Sequence, residues 1–480
     1  MARLETGVPG FDSISNGGVP KGRATLMVGT AGTGKTIFGL QYLAAGAHQF
    51  GQKGVLVTFE EPPEDIVANA ESFGWDLTRL VTEDKVRILD ASPDPDDPDR
   101  FDFAQLLARI QRAVGKVGAD RVVLDSVGAI FPQLRDPFAI RHGLRQVVEA
   151  LRPLHVTTLV TAERNEDYGP VARFGVEDFV VDGIVVLRNP LERRVRSRTI
   201  EILKLRGGAH LSGEFPFTIG SRRGIEVIPR PVFELRQEAT TDRVPTGNAE
   251  LDAICGGGFF KDSVVLVTGA TGTGKTLIGC EFVRAAVEAG ERALFFSFEE
   301  SRSQLFRNAR SWGIDFAEAE RSGRLRLELR RPERMLIEDL LLDLRRIIDD
   351  FEPTRVVIDG LTALARTSLA DAFREFSVAV TSYVKEKEIT VVFTETAMLD
   401  PEMDSHIESH VSTMTDAIIM LRYVESGGTA HRGLLMLKMR GSKHETGVQE
   451  YKIGDDGLHV LGPMPDVVGF IPGAPTAPAA

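Results

Sequence analysis

The sequence predicts an α/β fold made of two tandem domains, each with a mainly parallel β-sheet flanked by helices. Three observations support this fold class: a long internal repeat, an alternation of β-branched runs with amphipathic stretches, and one glycine-rich loop in each repeat. A chain of 480 residues is also too long for a single hydrophobic core, which favours at least two domains.

The repeat consists of the same motifs in the same order and at nearly the same spacing. The stretch TGVPGFDSISNGGVPKGRATLMVGTAGTGKT (6–36) corresponds to TGNAELDAICGGGFFKDSVVLVTGATGTGKT (246–276), and the two lysines differ by 275 − 35 = 240 positions. Further pairs are VTFEEP and FSFEES, SFGWD and SWGID, RVVLDS and RVVIDG, and KLRGGAH and KMRGSKH. Agreement over most of the chain indicates a tandem duplication of one domain.

Composition marks the ends of the two domains. A stretch rich in proline, threonine and charged residues follows the first copy, and a Pro/Gly/Ala-rich segment follows the second. We therefore expect a first domain at 1–228, a linker at 229–243, a second domain at 244–462 and a flexible Pro/Ala-rich tail at 463–480.

Within each copy, short apolar runs alternate with stretches of helical periodicity. In the first copy ATLMVG, GVLVTFE and DRVVLDS are predicted strands, and TIFGLQYLAAGAHQF and FDFAQLLARIQRAVGKV are predicted helices. Buried strands that alternate with helices indicate a parallel sheet covered by helices on both faces.

The composition excludes several classes of protein. An apolar fraction of 42% with 26% charged residues is ordinary for a globular protein, and a net charge of −12 argues against broad adhesion to nucleic acid or anionic membranes. No apolar run has the length of a membrane span, and the N-terminus has no apolar leader. The two cysteines, Cys255 and Cys280, are too few for a disulfide framework, so we expect a cytoplasmic location.

Both glycine-rich loops fit the pattern G-x-x-x-x-G-K-[ST] between a predicted strand and a predicted helix. Glycines let main-chain N–H groups approach phosphate oxygens, and the helix N-terminus adds its positive dipole end. The lysines are expected to contact the β- and γ-phosphates of ATP, and the last threonines to bind Mg²⁺. The predicted ATP-binding loop residues are Gly29, Gly32, Thr33, Gly34, Lys35 and Thr36 in the first copy, and Gly269, Thr271, Gly272, Thr273, Gly274, Lys275 and Thr276 in the second.

Carboxylates follow two predicted strands of each copy. Asp125 and Asp359 end VVLD and VVID, where a carboxylate faces the ligand crevice and can hold the Mg²⁺ shell; the alternative is an aspartate of a strand-end turn. The pairs Glu60-Glu61 and Glu299-Glu300 are candidate catalytic residues that orient water or accept a proton, and mutual repulsion is expected to raise one pKa in each pair. The predicted metal ligands are Thr36, Asp125, Thr276, Glu299 and Asp359.

A basic motif, K-x-R-G-x-x-H, recurs late in each copy. Alternation along a strand is expected to place its lysine and arginine on one face. Its distance from the glycine loop suggests contact with either the same nucleotide or the nucleotide of a neighbouring subunit, and the alternative is a basic edge strand. The residues are Lys204, Arg206 and His210 in the first copy, and Lys438, Arg440 and His444 in the second.

The segment SHVSTMTD contains adjacent hydroxyl residues that the first copy lacks. Asp416 aligns with Asp182, at an offset of 416 − 182 = 234, so Ser412 and Thr413 align with an aspartate and a phenylalanine. The pair is therefore not needed to fold the domain and is a candidate phosphorylation site. Polar residues at the entry to a strand are the alternative.

With these motifs the chain resembles the KaiC family, the two-domain RecA-like ATPases and autokinases of the cyanobacterial circadian clock. The resemblance covers Leu4 to Gly462 and rests on the duplicated loop, the paired glutamates, SFGWDL, ILDASPDP, YGPVARFGVEDFVVD, EILKLRG, CGGGFFKDS and LKMRG. It implies a homohexamer of two stacked rings with ATP between neighbouring subunits. It also implies slow hydrolysis in the first ring, and autophosphorylation and dephosphorylation of Ser412 and Thr413 in the second.

The same resemblance implies roles for individual residues. Glu60 and Glu61 match the catalytic pair of the first domain, and Glu299 matches the general base of the second. The further residues that it places at the nucleotide are Ser72, Trp312, Arg432, Lys204, Leu205, Arg206, His210, Lys438, Met439, Arg440, Ser442 and His444.

Three departures from the family pattern bear on partners and activity. The loop PDPDDPDRFDF is shorter than the segment that contacts KaiB, so a KaiB-like partner stays an expectation, and the short tail argues against engagement of KaiA. Gly360 stands where serine is usual.

Two other functions share this fold: a DNA-handling RecA-like motor and an ATP-binding scaffold without kinase activity. The acidic net charge argues against the motor, and the presence of Lys275 and Glu299 argues against the scaffold.

Overall fold

The computed structural model describes residues 2–92, 103–129, 137–171, 181–192, 195–229, 240–397, 414–426, 428–465, 467 and 470–471. The chain divides into two compact units, Met1–Arg230 and Pro231–Ala480. The extents of the linker and of the tail stay predictions. No helix in the described ranges is both long enough and apolar enough to cross a membrane.

The first unit alternates strands and helices along the chain. Its strands are β1 (Arg3–Leu4), β2 (Val19–Pro20), β3 (Ala24–Gly29), β4 (Gly54–Thr58), β5 (Val86–Asp90), β6 (Arg121–Asp125), β7 (Thr157–Glu163), β8 (Gly183–Arg188), β9 (Leu191–Glu192), β10 (Val195–Arg196), β11 (Thr199–Leu205), β12 (Glu214–Gly220) and β13 (Gly224–Val227). Its helices are α1 (Phe11–Ile14), α2 (Lys35–Gln49), α3 (Pro63–Ser72), α4 (Leu77–Thr82), α5 (Phe103–Val117) and α6 (Pro137–Leu151).

The second unit follows the same plan. Its strands are β14 (Arg243–Val244), β15 (Phe259–Phe260), β16 (Val264–Gly269), β17 (Ala293–Ser297), β18 (Leu325–Leu329), β19 (Arg355–Asp359), β20 (Thr390–Thr396), β21 (Ala417–Ser426), β22 (Thr429–Met439), β23 (Gln449–Gly454) and β24 (Gly457–Pro463). Its helices are α7 (Ala249–Ile254), α8 (Lys275–Glu288), α9 (Arg302–Ser311), α10 (Phe316–Arg321), α11 (Ile337–Phe351), α12 (Leu361–Thr367) and α13 (Ala370–Glu386).

Each unit contains one nine-stranded sheet, and corresponding strands have the same order in both. The order is β13-β12-β11-β8-β3-β7-β6-β4-β5 in the first unit and β24-β23-β22-β21-β16-β20-β19-β17-β18 in the second. Strands β3 to β8 of the first sheet pair with one another in parallel, and so do strands β16 to β21 of the second. The pairs that involve β11 to β13 or β22 to β24 are antiparallel. The predicted pair of RecA-like α/β domains with mainly parallel sheets is therefore confirmed.

Strand β3 shows why helices cover both faces of the sheet. Met27 packs on one face with Phe38 of α2, whereas Leu26 and Val28 pack on the other face with Ile110 of α5. Successive side chains of a strand point to opposite faces, so a strand that is buried on both sides must be apolar throughout. This requirement explains the continuous apolar runs from which the strands were predicted.

The parallel pairing brings polar residues to one edge of each sheet. In the first unit Thr58 lies beside Asp125, and Gly29 lies beside Glu163. Because parallel strands end at the same side, we name this side the carboxyl edge and the opposite side the amino edge. Ligands of open α/β sheets bind at the carboxyl edge, and both glycine loops lie there.

Candidate active sites

Each glycine loop folds around its own lysine. Lys35 Nζ donates to the carbonyl oxygens of Gly29 and Thr30, both at 3.0 Å, and Lys275 Nζ donates to those of Gly269 and Ala270 at 2.9 and 3.0 Å. Both lysines are buried, which lowers their pKa, while nearby carboxylates oppose this shift. Each ammonium group is therefore held at the centre of its loop.

The loop path depends on glycines that precede α2 and α8. Gly34 has φ 98° and Gly274 has φ 95°, in the left-handed region that favours glycine. A Cβ atom at Gly34 would lie 2.8 Å from Ile219 Cδ1, and one at Gly274 would lie 2.9 Å from Ile453 Cδ1. The loops therefore pack closely on β12 and β23, and the helix N-termini are left to face a phosphate group.

The second unit surrounds Asp359 with hydroxyl groups. Its carboxylate accepts hydrogen bonds from Thr276 Oγ1 at 3.2 Å, Thr394 Oγ1 at 2.7 Å and Ser297 Oγ at 3.1 Å. Burial raises the pKa of Asp359, and these hydrogen bonds oppose the shift. The threonine hydroxyl and the carboxylate are oxygen ligands of the kind that Mg²⁺ takes together with phosphate oxygens, so this donor set fits Mg²⁺.

In the first unit Asp125 has a simpler environment. Its Oδ1 accepts a hydrogen bond from Thr161 Oγ1, and its side chain is 8% exposed. Strand β6 holds it beside Thr58 of β4. Asp125 therefore lies at the carboxyl edge, where the sequence predicted it, together with the loop that contains Thr36.

The two glutamates of the second unit have different neighbours. Glu300 Oε1 accepts a hydrogen bond of 3.0 Å from Asn308 Nδ2 of α9. Glu299 instead lies against the turn that follows β19, next to Gly360. Partial desolvation raises the pKa of both carboxyl groups, and the charge of Asp359 raises them further. Glu299, with its raised pKa and without the asparagine contact, is the better placed of the two to accept a proton.

The first-unit glutamates are raised in pKa mainly by desolvation as well. For Glu60 the next causes are the charges of Glu163 and Asp125, and its neighbour Glu61 contributes less than either. For Glu61 the next cause is Asp125, and a hydrogen bond with Asn69 opposes the shift. Mutual repulsion, on which the sequence prediction relied, is thus a minor cause, because the fold brings other acids to the same edge.

A tether joins the first glycine loop to the connection that follows β7. Asp167 Oδ1 accepts hydrogen bonds from Thr30 Oγ1 at 2.9 Å and from Asn189 N at 3.2 Å. Arg188 Nε donates to the main-chain oxygen of Asp167 at 3.0 Å. The sequence prediction missed Asp167, and a surplus of polar residues just after a strand is the signal that could have pointed to it.

The basic motifs lie at the amino edge, away from the glycine loop of their own unit. Lys204 Nζ donates to Val181 O at 2.9 Å, and Arg206 lies 3.5 Å from Asp182, just before β8. Strand β8 runs parallel to β3, so its start lies one strand length, about 17 Å for six residues, from the loop. Contact with the nucleotide of the same unit is therefore excluded, and a neighbouring subunit stays as the alternative.

The second unit repeats this arrangement. Lys438 Nζ donates to Thr415 O at 2.7 Å, and Arg440 lies 3.8 Å from Asp416. In both copies the arginine follows the end of the strand, and a bulge interrupts β11 between Ile202 and Lys204. The bulge of β11 precedes the motif, and in the second copy both Lys438 and Arg440 interact with Asp416, so the expected placement of lysine and arginine on one face is not contradicted and stays a prediction.

The other residues predicted to contact the nucleotide differ in whether their side chains are accessible to a ligand. Leu205 and Met439 are each 6% exposed and belong to the hydrophobic cores, so only their main-chain groups are available to a ligand. His210, Ser442 and His444 lie in the turns beyond β11 and β22. The contacts of the two histidines are local: His210 Nδ1 contacts Leu211 O, and His444 Nδ1 contacts Ser442 O. Ser442 Oγ also accepts a hydrogen bond from Arg243, which is remote in the sequence.

Ser72 and Trp312 lie at the ends of corresponding helices. Ser72 Oγ donates to Asn69 O at 2.6 Å at the end of α3, and Trp312 caps α9 and packs against the core of its unit. Neither contact joins these residues to a glycine loop. Their nucleotide contacts stay predictions.

Tyr423, a residue that the sequence prediction missed, lies between Arg432 and the second glycine loop. The Arg432 guanidinium lies 5.6 Å from the ring centre of Tyr423, and Tyr423 Oη lies 3.5 Å from Thr271 O. A Cβ atom at Gly272 would lie 2.9 Å from that hydroxyl oxygen. The ring therefore covers one side of the loop, and Arg432 lies at the same edge.

Several predicted features lie outside the described residues. These are the hydroxyl pair Ser412 and Thr413, most of the loop predicted for a KaiB-like partner (93–102), and the end of the tail (472–480). Within the described residues, Ser297 and Thr394 are the hydroxyl groups that sequence reasoning overlooked. Polar residues near the ends of otherwise apolar strands, LFFS and VVFT, are the signal that could have identified them.

Comparison with known proteins gives a consistent result. A family model described as "ATPase: KaiC" matches residues 4–232 and 244–464. The chain is 48% identical to circadian clock protein KaiC3 of Synechocystis sp., over 99% of this chain and 95% of that protein. It is 49% identical to circadian clock oscillator protein KaiC of Thermosynechococcus vestitus and 48% identical to that of Synechococcus elongatus, each over 99% of this chain and 92% of the relative.

Proposed function

Because the chain belongs to the KaiC family of ATPases, we propose that it hydrolyses ATP in its first domain and phosphorylates itself with its second. The acceptors are Ser412 and Thr413, and the same domain removes the phosphate again. The supporting observation is the group of three hydroxyl residues around Asp359, with Glu299 beside it, at the carboxyl edge where the second glycine loop also lies. The hydroxyl residues are Thr276, Ser297 and Thr394.

In the second domain the reaction transfers the γ-phosphoryl group of ATP to a hydroxyl oxygen. The serine or threonine oxygen forms a bond to the γ-phosphorus, the bond to the β–γ bridging oxygen breaks, and ADP leaves. Glu299 accepts the hydroxyl proton, and the raised pKa of its carboxyl group favours that role. Lys275, held within the loop, balances the negative charge of the phosphates.

Mg²⁺, when bound, would neutralise charge on the β- and γ-phosphate oxygens. Thr276 and Asp359 would hold it in the second domain, and Thr36 and Asp125 in the first. Glu299 lies close enough to Asp359 for the two charges to interact. Its carboxylate would therefore either bind Mg²⁺ itself or lie next to the residues that bind it.

In the first domain the acceptor is water. Glu60 and Glu61 follow β4 at the carboxyl edge, where Asp125 and Glu163 also raise the pKa of Glu60. One carboxylate of the pair orients the attacking water and accepts its proton. No hydroxyl pair aligns with Ser412 and Thr413 in this copy, which supports hydrolysis over transfer to the chain.

We propose a homohexamer in which each ATP lies between two subunits. The position of these basic residues at the amino edges supports this arrangement, because the nucleotide at the carboxyl edge of the same unit lies too far away to contact them. The residues are Lys204, Arg206, Lys438 and Arg440. In the first unit an open cavity of about 260 Å³ lies beside Arg206, and Arg23, Arg145 and Arg152 also line it. Glu149 and Asp182 line the cavity as well and pair with Arg145 and Arg206, but the arginines outnumber the acids, so the cavity would attract the phosphates of a neighbouring subunit's nucleotide.

The names of the relatives suggest the biological setting. They are circadian clock proteins, so we propose that phosphorylation of this chain keeps time or carries a signal in the cytoplasm, with a KaiB-like protein as partner. Each phosphate adds a charge of roughly −1.5 to −2. Such a charge next to the basic residues of a subunit interface would change how neighbouring subunits pack, which is how the state would be read.

The test is incubation of the full chain with Mg·ATP, followed by intact mass measurement and peptide mapping over a day. Phosphate is expected on Ser412 and Thr413, and the double variant Ser412→Ala/Thr413→Ala is expected to lose it. Ser409→Ala, in the same segment, is the matched control and should keep it. Phosphate found only at other positions, or undiminished in the double variant, would contradict the proposal.

A further inference from the structure

We infer that Gly360 is a positioning residue for Glu299: it lacks a side chain because the glutamate lies where that side chain would be. The inference rests on the proposed role of Glu299 as proton acceptor, and adds what holds the glutamate in place. The sequence pattern alone predicts no function for this glycine.

The contact is defined by two distances. A Cβ atom at Gly360 would lie 2.6 Å from Glu299 Cγ and 3.0 Å from its Cδ. Carbon atoms that are not bonded make their best contact at about 3.5–4.0 Å, so any side chain at this position would overlap with the glutamate. Gly360 also has φ 90°, in the left-handed region that glycine adopts without strain.

The backbone on the glycine side is anchored. Gly360 N donates to Thr394 Oγ1 at 2.9 Å, and Thr394 Oγ1 donates to Asp359 Oδ1 at 2.7 Å. The carbonyl oxygen of Gly360 accepts from Ala363 N at 3.0 Å in the first turn of α12. A displacement of this turn would disturb Asp359 and the start of α12, so an added side chain would move the glutamate.

In the first unit, the position equivalent to Gly360 has a different residue and a different backbone conformation. Ser126 follows Asp125 as Gly360 follows Asp359, but it lies outside the left-handed region. Its Oγ accepts a hydrogen bond of 3.3 Å from Gly128 N, within its own turn. The charges that act most on Glu60 are those of Glu163 and Asp125, whereas Asp359 is the first charge that acts on Glu299. The left-handed backbone at this position is therefore a feature of the second unit.

The consequence for the reaction follows from geometry. A general base acts within about 2.6–3.2 Å of the proton that it accepts, and a displacement of about 1 Å can cost on the order of 100-fold in rate. Gly360→Ala is expected to lower the rate of phosphate incorporation about 10- to 100-fold. The KM for ATP should stay the same, because the loop that holds the phosphates is not touched.

The contact itself is tested without activity, by thermal unfolding of the full chain in a double-mutant cycle. Gly360→Ala is measured alone and together with Glu299→Ala, which removes Cγ and the atoms beyond it. The loss in Tm should be larger when Glu299 is present, and the remainder in the double variant reports the backbone strain alone. Equal losses in the two backgrounds would overturn the inference.

The kinetic experiment separates this inference from the proposed function. Ser126→Gly is the matched control and should leave phosphate incorporation unchanged. If Glu299→Gln keeps full incorporation, the proposed role of Glu299 fails, and the unfolding cycle still decides the contact. If Glu299→Gln abolishes incorporation while Gly360→Ala keeps the rate of the unmodified chain, the positioning role of Gly360 is wrong.

Discussion

The two units hold their phosphate-binding lysines in the same way but surround their carboxylates differently. Lys35 and Lys275 each bind two loop carbonyl oxygens at 2.9–3.0 Å. Asp359 accepts from three hydroxyl groups of its unit, whereas Asp125 accepts from Thr161. After duplication, the contacts of the loop lysine stayed the same, and the differences lie around the aspartate at the carboxyl edge.

Two further pairs of aligned residues sharpen this comparison. Thr30 of the first loop is tied to Asp167, but the second loop has Ala270 at that position and cannot form the bond. Gln41 of α2 corresponds to Glu281 of α8, so a buried amide in one unit is a buried carboxyl group in the other. Each pair can be exchanged by mutation, which makes the two units controls for one another.

The largest expected effect comes from the candidate catalytic glutamates. Glu299→Gln should lower phosphate incorporation by about 10²–10⁴-fold, the usual effect of removing a general base, and leave most ATP hydrolysis intact. The double variant Glu60→Gln/Glu61→Gln should lose most steady-state hydrolysis and still incorporate phosphate. ATP turnover and phosphate incorporation are measured on the same samples. If both variants lose the same activity to the same extent, the division of labour between the units is wrong.

The second prediction concerns the two edges of the sheet. Lys35→Ala removes the loop lysine and Lys204→Ala removes the lysine at the amino edge, so each variant alone should lose most first-domain hydrolysis. If ATP lies between subunits, a 1:1 mixture should recover activity at about a quarter of its interfaces, where random pairing brings the two intact residues together.

The control for this mixture is Lys35→Ala mixed with Lys35→Ala/Lys204→Ala, which contains no intact loop lysine and should stay inactive. ATP turnover is measured after the subunits have exchanged. A 1:1 mixture that stays at the level of this control would show that Lys204 does not act across the interface.

The third prediction concerns Glu281, which is 2% exposed. Burial raises its pKa from 4.5 to about 6, while hydrogen bonds from Leu458 N and Asn248 oppose the shift. The folded state therefore binds this proton more tightly than the unfolded state. The stability that results is complete below pH 4.5 and is lost as the pH rises through 6.

At pH 7 the ionised carboxylate then costs about 2 kcal/mol, since one pKa unit corresponds to about 1.36 kcal/mol. Glu281→Gln should stabilise the second unit by up to about this amount at pH 7 and by little below pH 4.5. Gln41→Glu is the reverse exchange and should destabilise the first unit near neutral pH, because Gln41 both donates to Ile225 O and accepts from Ile225 N. Thermal unfolding from pH 4.5 to 8 measures both, and a pH-independent difference would refute the assignment.

The smallest expected effect concerns the tether of the first loop. Thr30→Val removes the hydrogen bond to Asp167 and should weaken ATP binding at the first site by up to about tenfold, which corresponds to about 1.4 kcal/mol. Ala270→Val places the same residue at the aligned position of the second loop, where the alanine that it replaces has no hydroxyl group to lose. Nucleotide titration with each variant measures the difference, and equal losses at the two sites would mean that the tether does not support binding.

The sequence by itself determined the duplication, the order of strands and helices, and the location of both glycine loops. These features are encoded locally: apolar runs give strands, helical periodicity gives helices, and a loop such as GTAGTGKT has few other conformations. The same local logic placed Asp125 and Asp359 at strand ends. Parallel pairing then required them to share an edge with the loops.

Only the tertiary structure decided which side chains meet across long separations in the chain. It placed Lys204 at the edge opposite its own loop, buried Leu205 and Met439 in the cores, and made other acids outweigh Glu61 in raising the pKa of Glu60. It also set the glutamate Glu299 against Gly360, which lies 61 positions away, since 360 − 299 = 61. Distances and desolvation act through space, so residues that are remote in sequence determine them, and no local pattern records them.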